Sequence, residues 1–152
     1  MSTALSFVFH LLGAVLWTGG VLAMSRVMVH MARQPAALRA GLGHLGGRFN
    51  ILALLGAGLS IPSGLYQLSL WPAGSFRLAG WLHTKLTLII VLAVVHGLCI
   101  AKLRQWQKLP AETPLPRATA SALHGIIGLA LIGILLAVYL GKYHFLRSSN
   151  FT

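Results

Sequence analysis

Apolar residues fall into four long runs, separated by stretches where arginine, lysine, proline and glycine concentrate. The runs cover residues 4–24, 49–70, 80–101 and 118–141. Each is close to the ~20 residues that carry a helix through ~30 Å of hydrocarbon. Lipid offers no hydrogen-bond partner to backbone groups, so each run is predicted to be helical. The first run can continue as helix to Met31, and Pro62 is expected to interrupt the second. No basic segment precedes the first run and no small-residue cleavage site follows it before Arg26, so it reads as a retained span. The predicted fold class is all-α, a transmembrane four-helix bundle forming one domain over residues 1–152.

Composition supports that reading. The chain is 57% hydrophobic and 9% charged, with mean hydropathy +0.80. A soluble domain carries about 25% charged residues and could not expose so much apolar surface without aggregating. Twelve Lys and Arg residues stand against one acid, Glu112, for a net charge of +11. On a soluble chain that excess would point to nucleic acid. Here the cations cluster between apolar runs, so the expected partner is membrane lipid with anionic headgroups, not nucleic acid.

The clusters also set an orientation. Arg26, Arg33, Arg39 and Arg48 border or occupy the first connection, and Lys102, Arg104, Lys108 and Arg117 the third. The second connection has only Arg77, and the tail has Lys142 and Arg147. The positive-inside rule puts connections one and three in the cytoplasm and both termini outside it. The expected location is the inner membrane of a bacterium.

Ionisable residues inside spans are costly and mark function by default. This chain has His10 in the first span, His83, Lys85 and His96 in the third, and His124 in the fourth. Depth sorts them into two layers. His10, His83 and Lys85 fall near the outer surface. His96 lies eleven residues beyond Lys85, roughly 16 Å deeper at the helical rise, and His124 falls beside it in the inner layer. At ~100° per residue Lys85 and His96 share one face of the third helix, whereas His83 points about 160° away from Lys85 and is the weaker ligand candidate.

Imidazoles on facing helices commonly hold haem iron in a bundle. His10 with Lys85 or His83 forms one candidate site, and His96 with His124 a second. The predicted cofactor is therefore haem b, one or two per chain, with His10, His96 and His124 as iron ligands. Arg26 is either a lipid-phosphate contact or the partner of a tetrapyrrole propionate. Gly13 and Gly20 on the His10 face, Gly97 beside His96, and Gly125 and Gly128 beside His124 suit either a flat macrocycle or close helix packing. Met24, Met28 and Met31 repeat at i, i+4, i+7 with His30 alongside, a soft donor set that suits Cu(I), although such stripes ordinarily pack cores. Zinc ligands of the usual clustered kind are missing from the pattern. Cys99 reads as a packing residue, and Glu112, in a proline-rich connection, leaves no buried acid for proton transfer.

The run His10-x6-Trp17-x2-Gly20-x5-Arg26, followed by Gly80-Trp81-Leu82-His83-Thr84-Lys85-Leu86 and then His96-Gly97, resembles the HemJ-type protoporphyrinogen oxidases. These are small haem-binding membrane proteins, related more distantly to CopD copper-resistance proteins. The resemblance covers the first and third helices and the four-span layout, and its Gly-Trp-Leu-His-x-Lys-Leu segment is the most specific part. It implies that His10 ligates haem and that Lys85 is a ligand or essential partner, with Arg26, His83 and His96 in the site. The implied chemistry is removal of hydrogens from protoporphyrinogen IX to give protoporphyrin IX, with electrons passed on, quinone being one acceptor.

One segment departs from the family. Where an Asn-Glu-x-Pro-like stretch enters the last helix, this chain reads Thr119-Ala120-Ser121-Ala122-Leu123-His124-Gly125, without acid or proline. That change supplies His124 and opens an alternative, a non-catalytic b-type cytochrome that carries electrons across the membrane. CopD-like copper transport ranks third. The chain is expected to form a homo-oligomer or to serve as a subunit of a membrane redox complex. No catalytic residue is assigned from sequence.

Overall fold

The computed structural model describes residues 2–71, 79–110 and 112–148, with side-chain surroundings up to Gly141. Its elements are α1 (Thr3–Met31), α2 (Ala36–Ser69), α3 (Gly80–Gln107) and α4 (Arg117–Ser148). Each of the four is long and apolar enough to cross a bilayer, and the chain is built as an integral membrane protein. Arg77, Pro72 and Gly74 of the second connection, and the side chains of Lys142 and Arg147, lie outside the described residues.

The helices outrun the apolar runs, most of all in α2. It begins thirteen residues before the run that predicts it, and the expected first connection shrinks to a four-residue turn. Ala36, Ala37, Leu38 and Ala40 favour helix, and tertiary contacts hold the extension. Gly46 packs against Leu103 of α3, and Gly43 against Gln107 at its end. Pro62 does not break α2. The Ser63 hydroxyl donates to the Leu59 carbonyl at 2.5 Å, the kind of side-chain bond that supports backbone around an intramembrane proline.

Helices in lipid gain little from the hydrophobic effect, so close packing and hydrogen bonds must hold them. α1 and α2 form the tightest pair. A Cβ on Gly13 would stand 2.5 Å from the Ser60 nitrogen, and one on Gly20 2.7 Å from that of Ala53. Gly56 is in turn pressed against the Trp17 nitrogen. These glycines serve backbone contact between helices. Gly97, Gly125 and Gly128, by contrast, meet nothing within 4 Å. α4 leans on α3 and α1, while α2 and α3 touch only sparsely.

The core is centred on Val21, Met24, Met28, Met31, Leu92, Cys99 and Ile127, each at most 1% exposed. The methionine stripe is thus wholly inside the packing. At the basic end, Arg39 Nη1 donates to the Thr113 carbonyl at 2.6 Å and Arg117 Nε to the Ala32 carbonyl at 3.2 Å. These bonds tie together the two connections at that end.

Candidate functional site

Sparse contact between α2 and α3 leaves a cleft near the end of the bundle where α1 begins. Its cavity volume is about 200 Å³, below the roughly 300–1,000 Å³ of clefts that bury most of a drug-sized ligand.

Helix direction orders the lining by depth. Trp17, Ser60 and Ile89 form the floor, His10, Gly64 and Lys85 the middle, and Gln67, Trp71 and Trp81 the mouth. From Trp81 to Ile89 this is a descent of about 12 Å along α3. At the mouth the indole rings of Trp71 and Trp81 stand 5.9 Å apart, tilted at 58°. Trp81 lies directly on Gly141 of α4, where a Cβ would run into its ring.

His10 is held from two sides. Its Nδ1 lies 2.8 Å from the Ser60 carbonyl, and a carbonyl can only accept, so Nδ1 carries the proton. Nε2 keeps its lone pair on a ring that lines the cleft. Gly64 makes room for the ring, since a Cβ there would sit 2.8 Å from Cε1. Gln67 Nε2 donates to the Ser6 carbonyl at 3.2 Å, pinning the neighbouring turns of α1 and α2. A lone-pair nitrogen fixed by a hydrogen bond on the opposite ring nitrogen is the usual state of a metal-binding histidine. Lys85, on α3, is half-buried in the same cleft and is the amine nearest His10 in depth.

The other candidates lie elsewhere. His83 is exposed and does not line the cleft, in agreement with its angle from Lys85. Arg26 is exposed on α1, sixteen residues from His10, about 24 Å along the axis. His96 is buried, and Trp17 Nε1 donates to its Nδ1 at 3.3 Å. Its Nε2 therefore carries the proton and donates to Asn50 Oδ1 at 3.1 Å. Both ring nitrogens of His96 are engaged by protein. His124 Nδ1 lies 2.9 Å from the Ser25 hydroxyl, whose own proton goes to the Leu22 carbonyl. His124 thus donates from Nδ1 and keeps a lone pair on Nε2. The structure brings His10 and Lys85 to one cleft and gives His96 and His124 separate partners.

Three contributors escaped the sequence reading: Ser60, Gly64 and Asn50. Ser60 and Gly64 flank Pro62 in a stretch whose polar and small residues interrupt the apolar run. Asn50 is a polar amide at the head of the second run, the kind of residue that bonds across helices in membranes. Among the described residues, no group of three or more His, Cys, Asp or Glu side chains converges as a bare metal ion requires.

No family model and no solved structure matches the chain. Two curated proteins are similar to it, the protoporphyrinogen IX oxidases of Helicobacter pylori strains J99 and 26695. They are 25% identical over 105 and 107 residues, spanning 67% and 68% of this chain and 70% and 72% of theirs.

Proposed function

We propose that the chain is a haem-binding membrane redox protein that oxidises protoporphyrinogen IX to protoporphyrin IX. The observation that carries this reading is the convergence of His10 Nε2 and Lys85 on one membrane cleft. The distant similarity to two protoporphyrinogen IX oxidases supports it.

The residues fit a b-type haem. His10 is the iron ligand, with its tautomer set by Ser60. A porphyrin supplies four nitrogens to its metal, so one or two protein ligands suffice where a bare ion would need a cluster. Bound there, haem supplies one-electron transfer. Ser60 and Gly64 orient the imidazole, Lys85 supplies a second polar group from the facing helix, and the tryptophans and leucines exclude water. The ammonium of Lys85 also suits a tetrapyrrole carboxylate, the anionic group such a ligand carries. Electrons leave to a quinone or a partner subunit, and both termini lie outside the cytoplasm.

The second reading is a b-type cytochrome with a further haem between His96 and His124. The lone pair on His124 Nε2 favours it, whereas the double engagement of His96 does not. Burial of Met24, Met28 and Met31 in the core supports their packing role over a copper path.

The test is direct. Protein in lipid vesicles, supplied with protoporphyrinogen IX and a soluble quinone in the dark, is expected to generate fluorescent protoporphyrin. His10→Ala abolishes the gain and His124→Ala leaves it. A gain no faster than in protein-free vesicles overturns the oxidase reading.

A further inference from the structure

Trp17 on α1, His96 on α3 and Asn50 on α2 form a hydrogen-bonded chain across three helices. The bonds are 3.3 Å from indole N–H to Nδ1 and 3.1 Å from Nε2 to the amide oxygen. Trp17 and His96 are each 5% exposed. The indole of Trp17 is also the floor of the cleft, with Ser60 and Ile89 beside it. One residue therefore belongs to both structures, and the only polar atom of its side chain is bound to His96.

We infer that His96 is a positioning residue: it holds the Trp17 indole as the cleft's apolar floor, and it is not an iron ligand. The inference rests on the haem reading of the cleft for its functional consequence. Its physical basis is independent of that reading. A buried N–H without a partner is costly, so with His96 absent the indole must turn to find another acceptor. The Ser60 hydroxyl and the lone pair of His10 lie in the same cleft, and an indole turned toward them enters the space a ligand would fill. With His96 present, its Nδ1 accepts the indole proton and Asn50 fixes the tautomer that makes Nδ1 an acceptor. An engaged Trp17 offers the ligand a flat hydrocarbon surface. A macrocycle held on that surface would have Lys85 and the mouth as the polar side open to its carboxylates.

The experiment reads the indole and the ligand separately. Protein labelled with ¹⁵N at tryptophan is examined in detergent micelles without ligand, with Trp17→Phe assigning the Trp17 indole resonance. It is then titrated with haemin. In His96→Asn the amide oxygen replaces Nδ1, so the resonance is expected near its wild-type place and haemin affinity close to wild type. In His96→Leu the resonance moves to that of an indole without this bond, and haemin binds about tenfold more weakly, equivalent to ~1.4 kcal/mol. Should His96→Leu fail to accumulate, the double variant Trp17→Phe/His96→Leu carries the test, since it removes donor and acceptor together, leaves an apolar ring with no N–H to turn into the cleft, and should bind haemin close to wild type. A Trp17 resonance unmoved in His96→Leu, or haemin binding lost in Trp17→Phe/His96→Leu, overturns the inference. So does equal loss of the haem spectrum in His96→Asn and His96→Leu, which is the behaviour of an iron ligand. If wild type takes up no haemin while the resonance shifts as described, the haem reading falls and the positioning of Trp17 by His96 stands.

Discussion

His10 shows how a single side chain becomes specific through its neighbours. Its sequence position gives an imidazole within a span, and nothing more. The Ser60 carbonyl at 2.8 Å selects the tautomer, and the missing side chain at Gly64 sets the ring's place. Gly64→Ala is therefore expected to displace the ring and lower haem content severalfold, with thermal unfolding in detergent close to wild type. Haem content normalised to folded protein checks this. Lys85 divides two roles. If its charge pairs with a carboxylate, Lys85→Arg retains haemin affinity and Lys85→Met loses about tenfold, or ~1.4 kcal/mol. If its amine ligates iron, both lose it and the spectrum changes. Rescue by arginine is the expected outcome. At this scale the sequence revealed which ionisable residues occupy spans. It did not reveal that His96 spends both nitrogens on Trp17 and Asn50, because that depends on three helices meeting at one level.

Among the elements, the α1–α2 seam is the firmest, and it rests on glycine. Gly13→Ala or Gly56→Ala puts a methyl group into backbone that has no room to move. Overpacking of this kind costs about 1–3 kcal/mol. Gly58→Ala, on the same helix but with nothing within 4 Å, is expected to change stability by no more than about 0.5 kcal/mol, as surface substitutions do. Thermal or denaturant unfolding in detergent distinguishes the two outcomes. The four helices were legible from hydropathy because a membrane span must be long and apolar. The beginning of α2 was not. Arg39, His44 and Arg48 give that region the polarity of a connection, yet they occupy exposed or half-buried positions while Gly43 and Gly46 pack inward. Pro62 likewise predicts a break that lipid-embedded backbone does not allow.

For the whole molecule, the charge pattern and the cleft together define a direction. Eight cations border the two connections at one end, and the cleft lies toward the other. With a membrane-impermeant maleimide on intact cells, in a Cys99→Ser background, Ser2→Cys is expected to label and Gly41→Cys to label only after lysis. The reverse pattern contradicts the assigned topology and moves the cleft to the cytoplasmic side. The central claim is that this cleft holds one haem through His10. A reduced-minus-oxidised spectrum with pyridine haemochrome quantification, on wild type, His10→Ala and His124→Ala, tests it most directly. One haem per chain is expected, lost with His10→Ala and retained with His124→Ala. Haem that survives His10→Ala, or a protein that binds none, contradicts it.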